Sequence, residues 1–232
     1  MIILTPEAAN SQIKELINYY PDLKITTSCS DEIRLRGKLH IFRTALNYTL
    51  NRSFEVELRI PINSEELPVI MDLEGAIDDS YPHRYLSGAL CLETDTAIRL
   101  RFIDGFQLIP WIEEFVEPYF FSYAYYSRFG SFPFSERPHG VIGIINTYQD
   151  LFDEKDLKTT AALLRFCGER TYRGHIGCPC GSGKKLRDCH GTVLFPIMTD
   201  SRKQEIVIND LERIRSVLSQ YESTGKNNET SK

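Results

Sequence analysis

Three cysteines and a histidine crowd one short run, GCPCGSGKKLRDCH, in which Cys178, Cys180, Cys189 and His190 supply three potential thiolates and one imidazole. Three sulfurs and one nitrogen are the donor set of a closed tetrahedral zinc site, and soft thiolates select zinc over magnesium or calcium. Four protein ligands leave no position for water, so a zinc ion here is expected to be structural. Gly181, Ser182 and Gly183 supply the tight turn that folds the second half of the run onto the first. The other three cysteines, Cys29, Cys91 and Cys167, stand alone. Cys91 sits in GALCL, directly after a polar loop, where a thiolate has the setting for nucleophilic chemistry and a buried thiol is the plain alternative.

One residue separates Cys178 from Cys180, and eight separate Cys180 from the adjacent Cys189–His190 pair. This spacing resembles the SEC-C motif found at the end of bacterial SecA. The resemblance implies a docking module for protein partners or ribosomes. Arg173, Lys184, Lys185 and Arg187 make the run basic within an acidic chain, which suits an acidic partner surface or a solvated face. His175 lies outside the matched spacing.

The elements that must position these residues follow from periodicity. Thr5 and Pro6 open a helix carrying Ile13, Leu16, Ile17 and Tyr20, and Pro21 stops it. From Leu23 to Leu73 the period is two, as in IRLRGKLHIF and FEVELRI, which predicts an antiparallel meander of about four strands with one wet face. EGAIDDSYPHRYLS is a polar loop. Leu108, Ile109, Ile112, Phe115, Val116 and Tyr119 mark a helix entered through Pro110 and Trp111, and an aromatic run, expected in the core, continues to Phe134. Two more helices are expected over 141–152 and 157–167. Asp200 or Ser201 caps a last one, with a stripe of Val207, Leu211, Ile214, Leu218 and Tyr221. The fold class is α+β, with a first domain over 1–155, a helix, zinc segment and terminal helix over 156–222, and a disordered polar tail over 223–232.

The order helix, four-stranded meander, proline-bearing loop, cysteine and helices is similar to the ubiquitin-conjugating fold. In that family a His-Pro-Asn triplet begins ten residues before the active cysteine, and a glycine lies three before it. Tyr81, Pro82 and His83 occupy the triplet positions, Gly88 the glycine position, Leu92 the position after the cysteine, and Trp111 resembles a tryptophan entering the next helix. GSFPFSERPHGVIG looks like a segment of bacterial relatives, including those of anti-phage operons.

The resemblance implies a thioester on Cys91 and transfer of a protein C-terminus to a target amine. The carried protein would be a ubiquitin-like protein or an anti-phage nucleotidyltransferase, supplied by an activating enzyme where one is required. His83, in the place of the family's Asn, can donate an N–H to a developing oxyanion or accept the proton of the attacking amine. Tyr81 would brace the loop in place of the family's His. Asp78, Asp79, Glu93 and Asp95 could orient a lysine, and His139 could approach from a helix start. The alternatives are a catalytically silent adaptor of the same fold, recruited through the zinc knot, and a cysteine hydrolase using Cys91 with His83 or His139.

Twenty-seven Lys and Arg against 32 Asp and Glu give a net charge of −5, which disfavours a broad nucleic-acid surface. No apolar run reaches the roughly 18–20 residues of a membrane helix, and MIILTPEAANSQ lacks the basic flank and apolar stretch of a secretory signal. A cytoplasmic protein with protein partners and no membrane contact is expected.

Overall fold

The structure is a computed structural model that describes residues 3–78, 80–134 and 138–229, with side chains described to residue 219. Asp79, the middle of the GSFPFSERPHGVIG segment (135–137), the side chain of Tyr221 and the end of the tail lie outside the described residues. In chain order the elements are α1 (Pro6–Tyr19), β1 (Lys24–Ser28), β2 (Glu32–Ala45), β3 (Tyr48–Pro61), β4 (Val69–Asp72), α2 (Asp95–Arg101) and α3 (Leu108–Trp111). A π-helical turn (Ile112–Val116) leads from α3 into α4 (Glu117–Phe129). Then come α5 (Gly140–Phe152), α6 (Leu157–Glu169), a 3₁₀ turn (Leu186–Asp188), α7 (Gly191–Met198) and α8 (Ser201–Glu229). They pack as two compact units, Met1–Glu93 with Asp104–Glu136, and Thr94–Ile103 with Arg137–Lys232.

The first unit is an α+β layer pair. The Thr5 hydroxyl accepts the Ala8 N–H at 3.3 Å and caps α1, with Pro6 in its first turn. The four strands pair antiparallel in the order β1-β2-β3-β4. Leu46 and Asn47 both hold positive φ between the paired Ala45 and Tyr48, the geometry of a two-residue type I′ hairpin. Alternation decides the faces. Ile33, Leu35, Leu39 and Ile41 of β2 and Phe54, Val56, Leu58 and Ile60 of β3 are all buried. Phe54 stacks on Phe120 of α4 with ring centroids 4.2 Å apart. On the opposite face Arg36 and Arg59 both grip Glu57 and Arg34 grips Glu32, so the wet side of the sheet is tied by ion pairs.

Gly37 interrupts the buried alternation for a steric reason. Its φ is +146° and an added Cβ would stand 2.0 Å from the Asp22 carbonyl oxygen, so only glycine lets the turn after α1 lie against β2. The aromatic run is core over Tyr119, Phe120, Phe121 and Tyr123, while Phe129 and Phe134 are about half exposed (50% and 51%). Gly130, left-handed, ends α4.

The second unit is helical. Tyr148, Phe152, Leu163, Leu164, Cys167, Leu194, Ile197, Val207 and Leu211 share one apolar cluster, joined by Cys178 and Leu186 from the cysteine-rich run. Thus the α8 stripe is buried at Val207 and Leu211 and packed at Ile214, but Leu218 is exposed. Inside this cluster Asp210 of α8 accepts hydrogen bonds from Tyr148 of α5 at 2.7 Å and Thr96 of α2 at 2.8 Å. Burial raises the Asp210 carboxyl above its ordinary value, against the lowering effect of those two donors. Among the described residues no helix is long and apolar enough to cross a membrane.

Candidate functional site: a thiol hairpin and a four-donor knot

Residues 83–91 form a small hairpin in the first unit. Arg84 bridges Leu90, Tyr85 donates its N–H to Ala89 O at 2.9 Å, and Cys91 donates its N–H to His83 O at 3.0 Å. The turn closes through the Gly88 N–H to Tyr85 O at 2.9 Å, with Gly88 at φ +84°. The returning strand extends the sheet: Leu90 N–H donates to Ile70 O at 2.9 Å, and Ala89 bridges Met71. The Gly88 position is also sterically confined, since a Cβ there would stand 3.2 Å from the Met71 Cε.

The antiparallel register sets His83 opposite Cys91 and Tyr85 two residues further along the same face. A ring nitrogen of His83 lies within 4.8 Å of Cys91 Sγ. The Cys91 thiol donates to the Tyr85 hydroxyl at 3.3 Å. Cys91 is half-buried. Leu86, at the tip of the turn, is fully exposed.

The hairpin is braced from below. Tyr81 is 3% exposed and packs its ring against Tyr119, Tyr123, Tyr126 and Phe132, with centroids 5.1–6.0 Å away. Tyr119 donates its hydroxyl to His83 O at 2.8 Å, and burial raises that phenol, which keeps it a donor. The Asp78 carboxylate is engaged by the Ser80 hydroxyl and N–H at 2.5 and 2.8 Å, which hold it below the usual carboxylate range. It therefore serves the loop. Glu93 is half-buried and Asp95 is exposed in the first turn of α2. His139 is the exposed N-cap residue of α5 in the second unit.

The cysteine-rich run is a knuckle in the second unit. Gly177 bridges Lys185, Cys178 N–H donates to Lys184 O at 2.9 Å, and Leu186 N–H donates to Ile176 O at 2.8 Å. Gly181 and Gly183 take left-handed conformations between the two halves. The 3₁₀ turn then carries Cys189 and His190 back beside Cys178 and Cys180. The four donor atoms all lie within 4.8 Å of one another. His190 Nδ1 is 3.3 Å from both Cys178 Sγ and Cys189 Sγ, and Cys180 Sγ is 3.6 Å from Cys189 Sγ. A tetrahedral zinc with bonds of about 2.3 Å to sulfur and about 2.0–2.1 Å to nitrogen separates its ligands by roughly 3.5–3.8 Å. The donors therefore stand close to the spacing that a metal ion requires.

Residues 177–192 match the SEC-C motif. Neither the curated proteins nor the solved structures that were searched gave a match to this chain. All four donors lie within the SEC-C segment, and His175 lies outside both the segment and the cluster. Burial pushes the Cys178 thiol up to about 11. Burial also acts to raise Cys180, but hydrogen bonds from the Ser182 hydroxyl and N–H bring it down to about 6. Metal uptake would release the protons that the thiols of the knot still hold.

The hairpin sets His83 and Cys91 side by side on one face. It adds Tyr85, which the sequence reading missed. The available signal was the Ser-Gly turn of YLSGALC, which predicts a hairpin and so a shared face for residues 83, 85 and 91.

Proposed function

We propose that the chain is a thiol-dependent acyl carrier of ubiquitin-conjugating-like fold that holds a protein C-terminus as a thioester on Cys91 and passes it to a target amine. The observation that carries this reading is the hairpin face on which Sγ of the half-buried Cys91 lies 3.3 Å from the Tyr85 hydroxyl and within 4.8 Å of a His83 nitrogen. The order α1, four-stranded meander, loop, cysteine and helices supports the fold assignment.

The Cys91 thiolate attacks the activated C-terminal carbonyl, forming the C–S bond as the upstream carrier's thiolate leaves. A lysine amine then attacks the thioester carbon. His83 accepts the amine proton, the Tyr85 hydroxyl donates to the oxyanion, and the C–S bond breaks to return the Cys91 thiolate. The carried protein is a ubiquitin-like protein or an anti-phage nucleotidyltransferase, delivered by an activating enzyme where one is required. Zinc, held by Cys178, Cys180, Cys189 and His190, supplies structure to the knot.

The SEC-C segment favours a second reading, an inactive adaptor of the same fold recruited through the knot. One experiment separates the two. The full chain, incubated with neighbouring-gene proteins, the activating enzyme and ATP, is expected to form a covalent adduct cleaved by thiol reagents. Cys91→Ser should trap a longer-lived oxyester and Cys91→Ala should form none. Equal labelling of the alanine variant, or no adduct with any of these proteins, would leave the adaptor.

A further inference from the structure

We propose that Glu154, which lies outside the SEC-C segment, belongs to the metal centre as the residue that orients His190. The ligand nitrogen is identified by position: Nδ1 is the atom 3.3 Å from Cys178 Sγ and Cys189 Sγ. The other ring nitrogen, Nε2, faces the Glu154 carboxylate with Oε2 at 3.7 Å. That carboxylate is itself fixed. Its Oε1 accepts the N–H groups of Lys155 and Asp156 at 2.9 Å each, and the Glu154 N–H donates to Gln149 O at 2.9 Å. The left-handed Asp153, at φ +52°, reverses the chain after α5 and presents Glu154 in this position. The side chains of His190 and Glu154 are only 17% and 23% exposed, which limits competition from water.

An imidazole that binds metal through one nitrogen carries its proton on the other, and a carboxylate beyond that proton fixes both tautomer and ring orientation. Glu154 Oε2 stands where that acceptor is needed. A closure of about 0.5 Å on metal uptake brings 3.7 Å within hydrogen-bond range. The affinity of the knot for its ion is therefore set partly by the α5–α6 turn. This inference concerns the metal centre and does not rest on thioester chemistry at Cys91.

The test uses the full zinc-loaded chain and a chromophoric chelator in competition for zinc. Glu154→Gln is the informative variant because it keeps shape while removing one of two acceptor oxygens. A glutamine cannot both receive the Lys155 and Asp156 N–H groups and accept from Nε2. Zinc affinity is expected to fall on the order of 10–100-fold, with the far-UV circular dichroism unchanged. In a His190→Cys background, where four thiolates hold zinc without an imidazole, the same substitution should change affinity less than about twofold. Unchanged affinity in the first case, or an equal loss in both backgrounds, overturns the proposal, the latter assigning Glu154 to loop stability alone. If His190→Cys holds no zinc, ¹⁵N spectra of the zinc-loaded His190 ring decide: a slowly exchanging Nε2–H, lost in Glu154→Gln, is expected. A ring proton whose exchange is the same in both proteins refutes the role.

Discussion

Asp210 offers the sharpest test of how the second unit is held together, because two buried hydroxyls converge on one of its carboxylate oxygens. Asp210 Oδ2 accepts from Tyr148 at 2.7 Å and from Thr96 at 2.8 Å, and all three residues are at most 9% exposed. Asp210→Ala leaves two buried hydroxyls without this acceptor. At about 1–3 kcal/mol for each stranded group, less the relief of a buried charge, the expected loss is about 2–4 kcal/mol. Asp210→Asn retains one oxygen able to accept both bonds and carries no charge, so at pH 7 it should lie within about 1 kcal/mol of the parent.

The sign of the pH dependence follows from the raised folded value of Asp210. Its contribution is fully present below the unfolded value of about 3.9 and is lost as pH rises through the raised folded value. The parent should therefore gain on the Asn variant as pH falls from 7 towards 4. Arg213 lowers the carboxyl and Asp95 raises it, so neither neighbour reverses the net direction. Urea unfolding followed by circular dichroism, together with amide hydrogen exchange in α2, α5 and α8, reads the result. If Asn destabilises as much as Ala at pH 7, or if the parent–Asn gap is flat with pH, the account of a protonation-favouring buried acid is wrong.

Two further outcomes are expected. Metal analysis of the parent should find about one zinc per chain, and Cys178→Ser should lose most of it and loosen the knot, because that sulfur is both a donor and part of the apolar cluster. Adduct formation at Cys91 should survive that change, and retained zinc would remove Cys178 from the ligand set. Gly37→Ala should destabilise the first unit by about 2–4 kcal/mol, since the methyl meets the Asp22 carbonyl oxygen at 2.0 Å on a backbone that L-residues avoid. Fluorescence of the single tryptophan, Trp111, fully buried in that unit, reports it directly, and an unchanged urea midpoint would refute the steric reading.

Periodicity made the long elements legible. The alternation in β2 and β3 and the apolar spacing of α1, α5 and α6 survive in the structure because each element buries one face. Helix α2 escaped notice because it is seven residues long, with Asp95, Arg99 and Arg101 in its termini and only Thr96 and Ile98 buried. Helix α7 escaped because GTVLFPIM is apolar nearly all round and contains Pro196, so it shows neither a stripe nor an ordinary helix composition.

Beside those elements, the four candidate metal donors were legible in the chain alone. Their chemistry depends on residue type and short spacing, and turns built from Gly181 and Gly183 are local. Only tertiary structure decided which distant side chains meet. Tyr85 joins His83 and Cys91 because a hairpin register gives them one face, and Glu154 meets His190 because the end of α5 packs beside the knuckle. Asp210, which reads as an ordinary helix-surface acid, turns inward because Tyr148 and Thr96 arrive from elements 62 and 114 residues away. Long-range neighbours of that kind leave no periodic trace, because each is fixed by how whole elements pack and not by the residues beside it in the chain.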